Sequence, residues 1–197
     1  MYIVSFMGSP RRNGNTDILL GAVLEGAREA GATCTYNYLA GMDFKGCTEC
    51  DYCRKTGVCS LEDDFTPLYR EIERADAVIV SSPMFFYNIT SLTQAVVERA
   101  QAPWVARYRL GRSVTRNCKG IFISVGATKG PRLFDGALLV LKYFFDAIGA
   151  EMTGSLLVRG VEARGDIKKH GQIIKEAKDF GAKIGSGLLP GDLSFTV

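Results

Sequence analysis

Five short apolar runs, each followed by a segment with helical spacing, restrict the folds open to this chain more than any other feature. Tyr2 to Met7 (YIVSFM) opens the series as a buried strand. A helical pattern runs from Asp17 to Ala30, with Ile18, Leu19, Ala22, Val23 and Ala27 on one face and Asn15 or Thr16 as its cap. Thr33 to Leu39 reads as the second strand, and Phe65 to Ala75 as a helix carrying Phe65, Leu68, Tyr69 and Ile72 on one side. Ala77 to Ser81 (AVIVS) is continuous and β-branched, as a central parallel strand buried on both faces should be. A helix from Ser91 to about Gln101, a strand from Gly120 to Val125 and an apolar helix from Arg132 to Ile148 follow. A fifth strand, Glu151 to Val158, and an amphipathic helix, Asp166 to Ile184, complete the alternation. The tail from Gly187 to Val197 reads as irregular or docked on a neighbour.

This alternation predicts an α/β three-layer sandwich: one five-stranded parallel sheet in the order 2-1-3-4-5 with helices on both faces. The 197 residues suffice for a single domain with its own core, and neither repeats nor a linker divide it. Ligands of such sheets bind beyond the carboxyl ends of the strands, where the strand order reverses. Here that point falls between strands one and three, next to the loops Gly8–Thr16 and Ser82–Thr90, with Gly126–Pro131 nearby.

One stretch stands outside the alternation. Gly46 to Asp64 (GCTECDYCRKTGVCSLEDD) carries Cys47, Cys50, Cys53 and Cys59 in the spacing C-x2-C-x2-C-x5-C. Three thiols within seven residues suit a polynuclear iron site, because one loop can wrap three corners of a cubane. A tetrahedral zinc site more often takes two separated pairs. Cys34 and Cys118 fall in strands and read as buried fillers. No stretch reaches the ~20 apolar residues of a membrane span, and the N-terminus lacks the leader of a signal peptide. A cytoplasmic place is therefore expected, where clustered cysteines serve metal or redox chemistry rather than disulfides. The net charge of +3 is too small to argue for nucleic acid, and Arg107, Arg109, Arg112, Arg116 and Lys119 read as a solvated surface segment. The single histidine, His170, leaves no His-rich metal site and reads as a surface helix residue. Asp63 and Asp64 read as capping charge on the helix that follows.

The loops have their own chemistry. Gly8–Thr16 contains neither a dinucleotide fingerprint nor a Walker sequence. It is a strand-to-helix turn in which Ser9, Asn13, Asn15, Thr16 and the free N–H groups of the helix start make an anion site, with Arg11 adding charge. In Ser82–Thr90, Pro83 fixes the exit from the strand, and Met84, Phe85, Phe86 and Tyr87 put four large apolar side chains into a loop. About half are expected in the core; the others can wall a planar ring, with Asn88 at its polar edge. Thr128 and Lys129 would close the opposite side, where the lysine charge would favour an anionic reduced ring.

Gly8-Ser9-Pro10-Arg11 with Asn15-Thr16, the cysteine series with Asp63-Asp64, and Ser82-Pro83-Met84-Phe85-Phe86-Tyr87-Asn88 together resemble the iron–sulfur flavoprotein branch of the NADPH-dependent FMN reductase family. The resemblance covers the whole chain in order and implies a flavodoxin-like fold that binds FMN. It implies that Ser9, Arg11, Asn15 and Thr16 hold the phosphate, while Pro83 to Asn88, Gly126, Thr128 and Lys129 line the isoalloxazine. Cys47, Cys50, Cys53 and Cys59 would hold a [4Fe–4S] cluster in a loop inserted at about residues 45–64. It further implies a homodimer or homotetramer that sets one subunit's cluster loop near a neighbour's flavin. NAD(P)H stands as a candidate donor, and a ferredoxin or another redox protein as a candidate partner. Phe86-Tyr87 is bulkier than the small residue common near the flavin in this family. Three functions stay open: electron transfer between cluster and FMN to a small acceptor, a cluster-free NAD(P)H-dependent FMN or quinone reductase, and a zinc-stapled interaction protein.

Overall fold

The structure, a computed structural model, describes residues 1–112 and 117–197, so Arg116 lies outside the described residues. Strands β1 (Tyr2–Met7), β4 (Ala77–Ser81) and β5 (Cys118–Gly126) form the middle of one parallel sheet. The whole order is β2-β1-β4-β5-β6-β7, with β3 also on β1. All five residues of β4 are buried, which accounts for its unbroken β-branched sequence.

The sheet differs from the expected five strands at both edges. The second strand is split into β2 (Thr33–Cys34) and β3 (Asn37–Tyr38), both parallel to β1. Side chains replace the ladder at the break: Ser5 Oγ donates to Thr35 O at 2.5 Å, and Asn37 Nδ2 donates to Ser5 O at 3.1 Å. At the other edge the tail forms β7 (Gly191–Thr196), parallel to β6 (Ala150–Arg159), rather than an irregular end. Leu193, Phe195 and Val197 turn the same way and pack against the core, a period of two that the sequence displays. Gly154 lets the strands meet there, since a Cβ on it would lie 2.5 Å from Gly191 O.

Helices α1 (Asn15–Glu29) and α7 (Gly171–Gly185) cover one face; α3 (Leu68–Arg74), α4 (Ser91–Arg99) and α6 (Asp135–Ala147) cover the other. Helix α1 is capped by Gly14 without a side-chain bond, in place of Asn15 or Thr16. Helix α4 ends at Arg99, and a further helix, α5 (Gln101–Tyr108), follows where the sequence reading had surface chain. Pro103 explains the break. It has no N–H for the Arg99 carbonyl one turn back, and Tyr69 Oη donates to that oxygen instead at 2.9 Å.

In the basic segment Arg109 and Arg112 are exposed and Arg107 and Lys119 half-buried, and each has a contact. Arg107 donates to Asp146 O, Arg109 lies over the Trp104 ring, Arg112 donates to Thr56 O and Lys119 to Gly187 O. Among the described residues no helix is long and apolar enough to cross a membrane.

Helices α1 and α7 touch through glycines: a Cβ on Gly26 would lie 1.9 Å from Lys178 O, whereas one on Gly21 meets nothing within 4 Å. Gly26→Ala should therefore lower stability by about 1–3 kcal/mol, because the clash is with backbone. Gly21→Ala should raise it by up to about 1 kcal/mol through helix propensity. Denaturant midpoints of the two variants, moving in opposite directions, check the packing.

Candidate functional site

The reversal of strand order lies between β1 and β4, and the loops after these strands are laced together. Gly8 N donates to Ser81 O at 2.7 Å, and Thr90 Oγ1 donates to Gly8 O at 2.7 Å. Thr90 also caps α4 by accepting from Thr93 N, and its own N–H donates to Ser82 Oγ at 3.1 Å. Ser124 Oγ donates to Ser82 O at 2.7 Å, which draws in the end of β5. Thr90, Thr93, Ser82 and Ser124 are all buried. The sequence reading missed this floor; its signal was a set of hydroxyl residues at the carboxyl ends of three apolar strands.

Above the floor, the phosphate-loop residues divide. Ser9 is buried and accepts from Arg11 N at 3.1 Å, and the Arg11 side chain is exposed. Thr16 is buried in the first turn of α1, whose start carries no side-chain cap. Asn15 is already engaged: its Nδ2 donates to Ala163 O at 2.9 Å and its Oδ1 accepts from Ile167 N at 3.2 Å. Its side chain fastens the 163–167 loop to α1, leaving its backbone N–H for an anion.

The aromatic loop is a two-residue hairpin. Phe85 and Asn88 exchange backbone hydrogen bonds at 2.8 and 3.0 Å, and Phe86 and Tyr87 between them have φ of 50° and 63°. That is the backbone of a type I′ turn, which normally takes Asn-Gly. Holding two aromatics there costs on the order of 1–3 kcal/mol each. Of the four large residues only Met84 packs on the core; Phe85 and Tyr87 are about half exposed and Phe86 wholly so, fewer buried than the expected half. Pro83 is half-buried, and Asn88 Oδ1 is taken by Ile89 N at 2.8 Å. Gly126 ends β5 beside Met84, while Thr128 and Lys129 are exposed. A Cβ on Gly160 would lie 3.0 Å from Lys129 Cε, so this lysine runs toward the end of β6.

The cysteine stretch leaves the same end of the sheet but does not stay there. Its neck is closed by Asp43 N to Asp64 Oδ2 at 2.7 Å and Asp64 N to Asp43 O at 3.2 Å. Asp63 and Asp64 therefore fasten the loop; the helix they were expected to cap begins later, at Leu68. Glu49 and Asp51 adopt positive φ in the two x2 spacers, turning the chain between successive thiols. A five-residue helix, α2 (Tyr52–Thr56), seats the loop on α5, with Gly57 close to Ala106 and Arg112. Cys47, Cys50, Cys53 and Cys59 all line one cavity of about 370 Å³, walled by Glu98, Arg99, Ala102, Trp104 and Val105. The cavity thus lies at the C-terminal end of α4, roughly 13 Å along the helix from Thr90 and the aromatic loop.

The thiols sense one another. Burial pushes the Cys53 thiol up, and the charges of Cys47, Cys50 and Cys59 add to that. Cys50 is exposed, and contact with the Ser60 hydroxyl lowers its pKa, followed by the Tyr52 backbone. Among the described residues no three His, Cys, Asp or Glu side chains form the ligand set of a metal ion; the thiols are spaced around the cavity.

Arg99 is the residue the sequence reading passed over. It is 1% exposed, a cation in the buried register of α4 alongside Val96 and Ala100. Its Nη1 donates to Asp63 Oδ2 at 2.5 Å and to Lys45 O at 3.1 Å, and its Nε to Tyr69 Oη at 3.1 Å. The guanidinium lies over Phe65 and Tyr69. Its Nη2 is buried and has no partner among the described residues. Leaving a buried donor of a charged group unmade costs about 1–3 kcal/mol. The sequence signal was a charged residue inside the apolar stripe of a helix.

The Arg99–Asp63 pair also sets an acid limit. Burial alone would raise the Asp63 pKa, but the hydrogen bond and charge of Arg99 outweigh it and hold the carboxyl below its usual value. A depressed pKa contributes stability that is complete above about pH 4 and is lost as pH falls through the folded value. Asp63→Asn should cost about 3–5 kcal/mol at pH 7. That deficit should shrink as pH falls from 5 to 2, which thermal melts of both proteins across this range measure.

A family model described as NADPH-dependent FMN reductase matches residues 1–149. An iron-sulfur flavoprotein of Methanocaldococcus jannaschii is 28% identical over 129 residues, 66% of this chain and 64% of that protein. One from Methanosarcina thermophila is 28% identical over 129 residues, covering 66% and 65%. The chain thus matches just under two thirds of these relatives' own length. An NAD(P)H:quinone oxidoreductase from Methanothermobacter marburgensis shares the fold with a TM-score of 0.75 at 19% identity, covering 93% of this chain and 96% of that one. A flavone reductase does so with a TM-score of 0.64 at 17% identity, covering 95% and 62%. With a family match over three quarters of its length, this chain belongs to the NADPH-dependent FMN reductase family.

Proposed function

We propose that the protein passes electrons between a [4Fe–4S] cluster and FMN and on to a small acceptor such as a quinone. The observation that carries this reading is the gathering of Cys47, Cys50, Cys53 and Cys59 around one cavity that also borders a buried arginine with an unused donor. Four thiolates spaced around a volume of about 370 Å³ suit a body larger than a single ion. A buried cation beside them suits a net negative charge.

The FMN site is assigned to the loops at the strand reversal. The free N–H groups at the start of α1, with Ser9, Arg11 and Thr16, would hold the phosphate; Asn15 would contribute through its backbone. Pro83 and Met84 would support the ring from below, and Phe85, Phe86, Tyr87 and Asn88 would form its wall, with Gly126, Thr128 and Lys129 across from them. When bound, FMN supplies two-electron chemistry that can be divided into single electrons, and the cluster carries one electron at a time. The chain itself would hold both groups, the ring at the loops of the strand reversal and the cluster on the four cysteines.

Because the cysteine cavity lies a helix length from the aromatic loop, a neighbouring subunit's flavin is the nearer partner in this reading, within a homodimer or homotetramer. NAD(P)H or a ferredoxin-like protein would supply the electrons. A cluster-free NAD(P)H-dependent FMN or quinone reductase is the second reading. It is favoured by the exposure of Cys50, a free thiol open to solvent at the cavity.

Anaerobic purification should yield a flavin spectrum with a broad shoulder, and iron and sulfide at about four each per chain. Cys50→Ser should remove the shoulder and leave FMN bound. A clean flavin spectrum without iron in the wild type would instead select the second reading.

A further inference from the structure

Arg99 has five N–H donors, and the fold uses three of them. Nε goes to Tyr69, and Nη1 goes to Asp63 and Lys45. Asp63 and Lys45 lie in the neck of the cysteine loop, and Tyr69 lies on α3. Nη2 is the edge left over on a residue that lines the cavity, and the side chain is fully buried. The guanidinium is also held so that it cannot swing away, clamped over Phe65 at 5.2 Å and Tyr69 at 5.6 Å.

Burial alone would lower the Arg99 pKa, but hydrogen bonds to Asp63 and Tyr69 and the charges of Tyr69 and Cys59 raise it. Burial raises the Tyr69 pKa too; Arg99 pulls it down, while the Cys59 charge and hydrogen bond push it up. Tyr69 and Arg99 thus lead to the buried ion pair with Asp63.

We infer that Arg99 is a positioning residue for the sulfur-bound anionic group in the cysteine cavity, its Nη2 donating to a sulfur of that group or of its ligands. This rests on the proposed cluster and goes beyond it by assigning a charged, non-ligand residue to its support. Two consequences follow from elementary electrostatics. A donor to ligand sulfur slows loss of the group, and a fixed positive charge favours its more negative, reduced state, which raises its midpoint potential. Tyr69 and Asp63 hold the guanidinium in register, so the effect requires the planar donor geometry as well as the charge.

Wild type, Arg99→Gln and Arg99→Lys are prepared anaerobically and reconstituted with ferrous iron and sulfide. FMN content and a cooperative melt show that each is folded. Three quantities are then read: iron and sulfide per chain, the rate of iron loss to a chelator, and the midpoint potential of the iron–sulfur signal. Arg99→Gln should lose iron at least tenfold faster and titrate at a lower potential. Arg99→Lys should restore most of the potential but little of the retention. A Gln variant with wild-type retention and potential overturns the inference and leaves the cluster itself standing. Wild type that takes up no iron and sulfide overturns both. If Arg99→Gln does not fold, Asp63→Asn carries the test: it leaves the guanidinium charge uncompensated and should raise the potential, and an unchanged potential rejects the role of Arg99.

Discussion

The working edge of this molecule depends on one close approach. Where β1 ends, Gly8 sits so tightly against α4 that a Cβ would lie 1.9 Å from Thr93 Oγ1 and 3.1 Å from Ser81 O. Any side chain there would push apart the strands between which the sheet reverses direction. The bonds from Gly8 to Ser81 and Thr90 are short because nothing stands between them. The phosphate loop, the aromatic hairpin and the start of α4 are all placed from that contact.

Helix α4 carries the consequence down the molecule. Its cap belongs to the strand-reversal site and its last residue belongs to the cysteine cavity. A nine-residue helix is stiff over this length, so the two sites are held at a fixed separation. The separation follows from Pro103, which ends the helix where Arg99 must stop, and from Tyr69, which takes up the carbonyl that the proline leaves. The cysteine loop then needs little structure of its own. It borrows α4 and α5 as walls and contributes thiols and turns.

Much of this architecture was legible in the sequence, because strands buried on both faces must be apolar throughout and the helices between them must be amphipathic. AVIVS could be little else than a central strand. The meeting of the loops at the strand reversal was legible through position, since the alternation of elements fixes which loops meet. What escaped was decided by partners far away in sequence. Thr33–Leu39 broke because Ser5 and Asn37 bond across the break. The tail became β7 because Gly154 leaves room for it. Asp63 looked like a helix cap until Arg99, thirty-six residues later, claimed its carboxylate. The exposure of Phe86 depends on backbone angles that no periodicity reports. The cysteine spacing announced a site but not its seat, which only the path of the neck along α4 determines.

The closed neck of the cysteine loop bears on how such a segment can be gained or lost over time. Residues 43 and 64 already sit a hydrogen bond apart, so the chain between them spans almost no distance and its length is nearly free to vary. By that geometry the loop is a cassette, removable without stretching the sheet. Its socket is another matter. Delete the cassette and Arg99 keeps its place in the interior while losing Asp63, Lys45 and the cavity it borders, a stranded charge in a hydrophobic wall. The segment and the arginine are therefore linked, and deletion of residues 44–63 calls for a change at the end of α4 as well.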